Sequence, residues 1–310
     1  METSDKTSPV CFQKKIESYL ATNLSINLSH PHVNTRIKIS ILLSVHNAER
    51  FVHQAVESLL NQTFRDFEFL IIDDASTDAT SEILRELAAQ DVHIRVITNP
   101  TNLGLTKSLN IALAQARGNF IARMDADDVA LPHRLEKQVA FLETHPDIDV
   151  VGTAYEWIDE DDRVIGRPHV ITDPDDIHRT LPRTNPLLHS SVMIRRTTLD
   201  RVHGYDESYR RAQDYDLWLR LSRTSRMANL PEVLMQKRLV KNMISFASER
   251  AQLRCAVRAR VSALRRGDYP LWNAIYLLKP FIASILPLSI VRWARVHVFG
   301  QKIYAHHSLR

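Results

Sequence analysis

Short apolar runs alternate with amphipathic stretches through the first half of this 310-residue chain. The runs lie at 37–45, 67–72, 92–97 and 120–124, and the segments between them carry apolar side chains at helical spacing. Runs that are apolar at nearly every position are typical of strands buried on both faces of a parallel sheet. The pattern therefore predicts an α/β fold, with a mostly parallel sheet flanked by helices.

Acidic residues directly follow two of these predicted strands. Asp73 and Asp74 come after the second run, and Asp125, Asp127 and Asp128 come after the fourth. Ligands bind at the carboxyl ends of parallel strands, so we expect both groups in one crevice, where like charges repel unless a cation or a donor-rich ligand lies between them. Mg²⁺ or Mn²⁺ is the simplest compensation. The alternative is that the acids cap the helices that follow.

Glycine usage limits how the chain can bind phosphate. The sequence has seven glycines and contains neither GxGxxG nor Gly-Lys-Ser/Thr. A glycine-rich phosphate cradle is therefore excluded, and phosphate carried by a metal ion remains.

Three stretches of the sequence resemble glycosyltransferase family 2, which has the GT-A fold. They are ISILLSVHNAERFVHQAVESLLNQTFRDFEFLIIDDASTDAT, NLGLTKSLNIALAQARGNFIARMDADD and AQDYDLWLRL, and the resemblance covers residues 38–240. It implies inverting transfer of a sugar from a nucleoside diphosphate sugar, with Mg²⁺ or Mn²⁺ as cofactor. It also points to the enzymes of bacterial polysaccharide biosynthesis.

The resemblance assigns roles to residues of the first predicted loop. Val45, Asn47 and Glu49 lie where the family meets the nucleotide, although Ser44 and His46 replace the more usual Pro and Tyr. This departure leaves the contacts to the base open.

The resemblance also assigns the acidic residues. Asp73 and Asp74 match the pair that holds the base and ribose by accepting hydrogen bonds. Asp125 and Asp127 match the DxD motif: Asp127 is the direct metal ligand, and Asp125 contacts the ribose or the metal and its water. Arg123 is either a diphosphate contact or the partner of a neighbouring carboxylate.

Sugar transfer needs one more carboxylate, because the attacking hydroxyl must give its proton to a positioned base. Asp214 matches the base of the family and is also expected in the first turn of a helix, two roles that are compatible. Asp216 is the fallback base. His189 is either an acceptor contact or a structural residue.

The C-terminal segment differs in charge from the rest of the chain. Residues 241–310 contain twelve Lys or Arg and two acids, against 28 and 34 in residues 1–240. The apolar part of this tail is broken by Lys279, Pro280 and Pro287, and each piece is shorter than the roughly 20 residues of a spanning helix. We expect an interfacial helical hairpin drawn to anionic lipid and, with it, a lipid-linked glycan as acceptor. A helical subdomain covering the sheet edge, or an oligomer contact, is the alternative.

These patterns divide the chain into an N-terminal extension at 1–36, a GT-A domain at 37–240 and a helical tail at 241–310. The two cysteines lie far apart and the first residues lack the apolar core of a signal peptide, so we expect a cytoplasmic protein, with peripheral contact at the inner face of the membrane if the tail binds lipid.

Other functions fit the sequence less well. A sugar-phosphate nucleotidyltransferase would show a glycine-rich loop with Arg where this chain has SVHNAER. A non-catalytic nucleotide- or glycan-binding relative would not need both Asp127 and Asp214. Nucleic-acid binding by the tail is disfavoured, because aliphatic residues dominate it rather than stacking aromatics.

Overall fold

The computed structural model describes residues 37–240 and 249–286. The expectations for 1–36, and for the parts of the tail at 241–248 and 287–310, fall outside the described residues. The described part contains one nine-stranded sheet with helices on both faces.

The strands and helices follow the alternation read from the sequence, with ends shifted by a few residues. The strands are β1 (Ile39–Val45), β2 (Phe67–Asp73), β3 (Ile94–Thr98), β4 (Phe120–Met124), β5 (Val129–Ala130), β6 (Ile148–Ile158), β7 (Val164–Gly166), β8 (Met193–Arg195) and β9 (Arg226–Arg238). The helices are α1 (Val52–Leu60), α2 (Thr80–Gln90), α3 (Leu105–Gln115), α4 (Arg134–Thr144), α5 (Pro174–Thr180), α6 (Arg196–Arg201), α7 (Gln213–Leu221), α8 (Glu249–Arg265) and α9 (Leu278–Ile285).

The sheet has a parallel half and a mixed half. Its order is β3-β2-β1-β4-β8-β6-β9-β5, with β7 paired to β6. The first four strands are parallel, as the sequence predicts, whereas β8 runs antiparallel to both β4 and β6. The α/β class is therefore confirmed, and the second half adds antiparallel pairs that the apolar pattern did not reveal.

Alternate residues of the central strands feed two separate cores. On β1, Leu42 belongs to the core that contains Trp218, whereas Ile41 and Leu43 belong to the core on the other face. All of these side chains are almost completely buried. Because successive side chains of a strand point to opposite faces, a strand must be apolar at nearly every position when both faces are covered.

The order of the strands separates the two acidic groups. Strand β1 lies between β2 and β4, so the acids after β2 and those after β4 end strands that are two positions apart, or about 10 Å across the sheet. The two groups therefore lie at the same edge of the sheet but do not end neighbouring strands. Each group therefore needs its own compensation for its charge.

The C-terminal helices begin as part of the domain. Ala259 and Ala263 of α8 are buried in the same core as α7, and Nε of Arg260 donates a 2.9 Å hydrogen bond to the carbonyl of Pro182. A 3-10 helix (Leu271–Leu277) and α9 follow. None of the helices in the described ranges is long and apolar enough to cross a bilayer.

Candidate active site

The loop after β4 carries three carboxylates close together. Oxygen atoms of Asp125, Asp127 and Asp128 lie within 4.8 Å of one another. Asp128 is fully buried and accepts hydrogen bonds from the Ser190 hydroxyl and, at 3.0 Å, from the backbone N–H of Arg238. It does not cap α4, whose N-cap residue lies further on, so the capping alternative fails for this group.

Asp125 lies between two cations. Oδ1 pairs with the guanidinium of Arg123, whose side chain is 2% exposed, and Oδ2 lies 3.8 Å from Nζ of Lys237. Burial raises the pKa of Asp125, but the charges of Arg123 and Lys237 outweigh it and hold the pKa at about 2. Asp125 is therefore ionised, and Arg123 is in this structure the partner of a neighbouring carboxylate.

Asp127 is held differently. Its carboxylate makes no hydrogen bond or ion pair with another of the described residues. Burial, and then the adjacent charge of Asp128, raise its pKa to about 7. Of the three acids, Asp127 has the least compensation from the protein itself.

The acids fit a divalent cation by their chemistry. Hard carboxylate oxygens are the ligands that Mg²⁺ and Mn²⁺ prefer, and the crowded, uncompensated charge at Asp127 is relieved by a cation. Both oxygens of Asp128 are bonded within the chain, so Asp127 and Asp125 are the two that can turn towards a metal ion.

Arg238, the last residue of β9, bonds the acidic loop directly. Its side chain is 1% exposed, and it donates to the carbonyl of Asp127 at 2.9 Å and to the carbonyl of Asp159 at 3.0 Å. It also pairs with Asp162 at 2.6 Å and bonds Gln54 at 2.8 Å. Sequence reasoning missed Arg238, because 110 residues separate it from the loop it holds.

Asp214 lies in the first turn of α7, as predicted. The preceding Ala212 has a left-handed backbone, with φ of 53°, a costly conformation for alanine that turns the chain sharply into the helix. Nδ2 of Asn185 donates a 2.8 Å hydrogen bond to Oδ2 of Asp214. Burial raises the pKa of Asp214, which the charge of Arg123 and the bond from Asn185 partly oppose.

Asp216 is poorly suited to serve as the base. Its carboxylate is buried and accepts a 2.8 Å hydrogen bond from Nε of Arg220. Arg220 in turn donates to the carbonyls of Val202 and Gly204. Asp216 therefore belongs to a structural network that ties α7 to the loop after α6.

His189 lies in a buried aromatic cluster. It is 8% exposed, its Nε2 lies 2.8 Å from the Tyr205 hydroxyl, and its ring meets that of Trp218 edge-on at 6.1 Å. Burial lowers the pKa of His189 well below its ordinary value, so the ring is neutral. These contacts favour the structural role over an acceptor contact.

The loop after β1 is joined to the loop after β2. Asn47, which has a left-handed φ of 52°, accepts a 2.8 Å bond from the N–H of Thr77, and Glu49 accepts one of 2.9 Å from the N–H of Ala79. Val45 is buried at the end of β1. Both polar side chains are exposed at the rim of the sheet while bonding the neighbouring loop.

The carboxylates of Asp73 and Asp74 are turned towards their own chain. Asp73 accepts from the Ser76 N–H at 3.0 Å and from the Ser81 hydroxyl. Asp74 accepts three bonds: from Asn99 at 2.7 Å and from the N–H groups of Leu103 and Gly104, each at 2.8 Å. These bonds stabilise the loops before α2 and α3, a role similar to the alternative in which the acids cap the helices that follow.

The structure thus brings together Arg123, Asp125 and Asp127, and the charge of Arg123 also lowers the pKa of Asp214 against the larger effect of burial. Asp73 and Asp74 are bonded within their own loops. The structure adds residues that the motif analysis did not name. These are Asn185, beside the candidate base, and Lys237 with Arg238, at the end of β9. A basic pair ending a strand carries little signal in a sequence, because its partners are set by the sheet order.

A sheet whose first four strands are parallel, with helices on both faces and an acidic loop after β4, is the arrangement of the GT-A fold. The sequence profile of glycosyl transferase family 2 matches residues 40–203, which is more than half of the chain. The chain therefore belongs to family 2 and is a glycosyltransferase of the polysaccharide-biosynthesis type.

Individual relatives agree with this assignment. The chain is 35% identical over 275 residues to the putative glycosyltransferase EpsE of Bacillus subtilis, covering 87% of this chain and 98% of EpsE. It is 33% identical over 225 residues to the O-antigen biosynthesis glycosyltransferase WbnJ of Escherichia coli, covering 70% and 85% of the two chains.

A solved structure supports the fold. The mannosyltransferase PcManGT of Pyrobaculum calidifontis, determined in complex with GDP-Man and Mn²⁺, superposes with a TM-score of 0.61 and covers 96% of this chain and 90% of its own, at 17% identity. At this identity the likeness establishes the GT-A fold alone.

Proposed function

We propose that the protein is an inverting glycosyltransferase that moves a sugar from a nucleoside diphosphate sugar to a hydroxyl of a glycan or lipid-linked acceptor. One observation carries the proposal. Oxygen atoms of Asp125, Asp127 and Asp128 lie within 4.8 Å of one another, and buried Arg123, which pairs with Asp125, also lowers the pKa of Asp214 against the larger effect of burial. The acidic loop and the candidate base are therefore both influenced by one cation. A donor phosphate at the first and an acceptor hydroxyl at the second would lie within one site.

The reaction needs one bond formed and one broken. The acceptor oxygen attacks the anomeric carbon from the side opposite the diphosphate, the bond from this carbon to the phosphate oxygen breaks, and the bonding pair leaves with the nucleoside diphosphate. Asp214 takes the hydroxyl proton. Asn185 donates a hydrogen bond to Oδ2 of Asp214 and so helps to orient this carboxylate.

Asp127 and Asp125 would hold Mg²⁺ or Mn²⁺ at the acidic loop. Such a cation supplies positive charge to the departing diphosphate without a proton transfer. PcManGT, with bound GDP-Man and Mn²⁺, supports a donor of this class. In this proposal Asn47, Glu49, Asp73 and Asp74 shape the nucleotide pocket, and Val45 forms its floor.

A donor panel tests the proposal. The uridine, guanosine and thymidine diphosphate sugars are incubated with the protein and Mn²⁺ or Mg²⁺, and release of nucleoside diphosphate is measured. We expect Asp127→Asn and Asp214→Asn each to lower release about a hundredfold or more. Asp161→Asn, at a side chain that is 65% exposed, is the matched control. Wild-type turnover by either variant would contradict the roles, and no release from any donor would favour a binding relative.

The acceptor class is supported by an apolar face on the C-terminal helices, which we define as the 271–286 face. Eight of the eleven exposed large apolar residues in the described ranges lie in this segment: Leu271, Trp272, Ile275, Leu278, Phe281, Ile282, Ile285 and Leu286. Their spacing of three or four residues forms one stripe. Trp272 is 66% exposed and Leu271 is 77% exposed. Exposure of this much contiguous apolar surface to water is unfavourable and marks an interaction site.

We propose that an anionic phospholipid bilayer covers this face. Basic groups border it: Arg250 donates to the carbonyl of Leu286 at 3.4 Å, Arg183 lies over the ring of Tyr276 at 5.5 Å, and exposed Lys279 is within α9. Aromatic and aliphatic side chains rimmed by Lys and Arg are typical of helices that lie in a membrane interface. The protein would then work at the cytoplasmic face, on a lipid-linked glycan.

Vesicle sedimentation tests this surface. The full chain should pellet with vesicles of phosphatidylcholine and phosphatidylglycerol and much less with phosphatidylcholine alone. The double variant Trp272→Ser, Ile275→Ser should stay in the supernatant, and Val92→Ser, at a residue 94% exposed elsewhere, should pellet like wild type. A wild-type protein that ignores vesicles would contradict the proposal: a dimer in light scattering would then indicate an oligomer contact, and a monomer would indicate cover by residues 287–310.

A further inference from the structure

We infer that Lys237 is a ligand of the donor diphosphate and stabilises the leaving nucleoside diphosphate; this inference rests on the proposed function. Lys237 is the penultimate residue of β9, and its side chain is 20% exposed. No motif assigns it a role. It reaches the acidic loop from β9, whereas the three acids come from the segment after β4.

The ammonium group of Lys237 lies among the acids without donating a hydrogen bond to any of them. Nζ is 3.8 Å from Oδ2 of Asp125 and 3.7 Å from Oδ2 of Asp128, distances that are too long for hydrogen bonds. No described residue accepts a hydrogen bond from Nζ. Its three N–H donors are therefore available to an anion that enters the site.

The strand holds Lys237 firmly. The next residue, Arg238, is anchored through its backbone N–H to Asp128 at 3.0 Å and through its side chain to the carbonyls of Asp127 and Asp159. The backbone of Lys237 is therefore held beside the acidic loop. A phosphate contact on an immobile strand loses little conformational freedom on binding.

Charge explains why a lysine is needed here. Three carboxylates lie close together at the acidic loop, and the guanidinium of Arg123 is paired with one of them. The departing diphosphate gains a further negative charge as its bond to the sugar breaks. A cation whose attraction to the diphosphate is stronger in this state than in the bound donor therefore lowers the activation barrier. Lysine is a compact point charge that suits a phosphate oxygen.

A purely compensating role is the alternative, in which Lys237 only neutralises the acids. The two roles differ in nucleotide binding once Mn²⁺ has neutralised the acids. Loss of a diphosphate ligand then still weakens diphosphate binding, whereas the bound Mn²⁺ replaces the charge of a compensating cation. Removal of a compensating cation would instead raise the affinity of the acids for Mn²⁺.

Calorimetric titration of the full-length protein separates the two roles. Uridine, guanosine and thymidine diphosphates are titrated at saturating Mn²⁺, and the one that binds wild type most tightly is compared with its nucleoside. We expect Lys237→Met to weaken the diphosphate about tenfold or more, as for loss of one charged hydrogen bond, and to leave the nucleoside unchanged. Lys237→Arg should recover part of the loss. Lys137→Met, at an exposed lysine paired with Glu232, should bind as wild type.

The outcomes decide the inference independently of the transfer reaction. Unchanged diphosphate affinity in Lys237→Met, or equal weakening of diphosphate and nucleoside, would overturn it, and tighter Mn²⁺ binding with unchanged diphosphate affinity would assign the compensating role. Donor turnover by wild type is measured separately. A wild type that binds diphosphate through Lys237 but transfers no sugar would refute the proposed function and leave the phosphate contact standing.

Discussion

The side-chain amide of Asn185 donates a 2.8 Å hydrogen bond to Oδ2 of Asp214, and its own oxygen accepts a 3.1 Å bond from the backbone N–H of Leu187. The second bond fixes which way the amide faces, so the first one orients the carboxylate. The candidate base is therefore held by a side chain that is itself held by the backbone. We call this pair of hydrogen bonds the Asn185 relay.

The relay predicts a pH effect. Asp214 must be deprotonated to act as a base, and burial raises its pKa, so transfer falls as the pH drops through this raised pKa. Asn185→Ala removes a bond that lowers the pKa and should move the acidic limb of the kcat profile to higher pH. The maximal rate should also fall about tenfold or more, because the carboxylate loses its orientation.

The control is Asn185→Ser, which keeps a hydroxyl donor and should restore part of the rate and of the pH profile. Superimposable profiles for wild type and Asn185→Ala would show that Asn185 does not act on the base. The donor affinity of all three proteins should agree, since Asn185 contacts none of the acids after β4 in this structure.

Arg238 predicts a stability effect. Its buried guanidinium serves the carbonyls of Asp127 and Asp159 and the side chains of Gln54 and Asp162. Arg238→Met leaves these acceptors without a donor and should lower the free energy of unfolding by about 3 kcal/mol. Urea denaturation measures this loss.

An exposed arginine provides the comparison for Arg238. Arg163→Met, at a side chain that is 74% exposed, should change the free energy of unfolding by less than about 0.5 kcal/mol. Equal midpoints for Arg238→Met and Arg163→Met would contradict the proposed anchoring of the acidic loop.

Substitution of Asp74 should lower the free energy of unfolding rather than remove a contact to the nucleotide. Its carboxylate accepts bonds from Asn99, Leu103 and Gly104, and an amide at this position has only one oxygen to offer. Asp74→Asn should therefore cost about 1–3 kcal/mol in the free energy of unfolding. Asp200→Asn, at a side chain that is 60% exposed, is the control.

Nucleotide titration of the same variant separates the two readings of Asp74. A variant that unfolds like wild type yet binds nucleoside diphosphate weakly would support the hypothesis that Asp74 contacts the base and ribose directly, as the resemblance implies.

Substitution of two glycines by alanine should lower the stability of the fold for different reasons. A Cβ on Gly118 would lie 2.4 Å from the backbone nitrogen of Ser40 and 2.6 Å from the carbonyl carbon of Ile39, whereas a Cβ on Gly104 would meet nothing within 4 Å. Gly104 instead has a φ of 84° and a ψ of 160°, a backbone region that is essentially limited to glycine and costs other residues about 1–3 kcal/mol. Gly118→Ala should destabilise more than Gly104→Ala in thermal unfolding, and the reverse order would contradict the close approach of the loop before β4 to β1.

Much of the fold could be predicted because it repeats a local rule. Residues such as Ile41 and Leu42 are apolar in succession, and only a strand covered on both faces explains this, so the alternation of strands and helices followed directly. The helix at Asp214 likewise followed from its own neighbours. Asp125, Asp127 and Asp214 were identified because they stand in recognisable local motifs.

Relations between distant segments could not be predicted in this way. The insertion of β1 between β2 and β4, which separates Asp74 from Asp127, is a property of the sheet order. The placement of Lys237 beside Asp125, and of Asn185 beside Asp214, depends on strands and loops that pair only in the folded chain.

The sequence by itself determined the class of fold, the family and the identity of the acids, because periodicity and short motifs are written in neighbouring residues. The tertiary structure alone decided which of these acids are already bonded within the chain, as Asp73, Asp74 and Asp128 are, and which carry uncompensated charge, as Asp127 does. The physical reason is that burial and the partner of each charge arise only when remote segments are brought into contact.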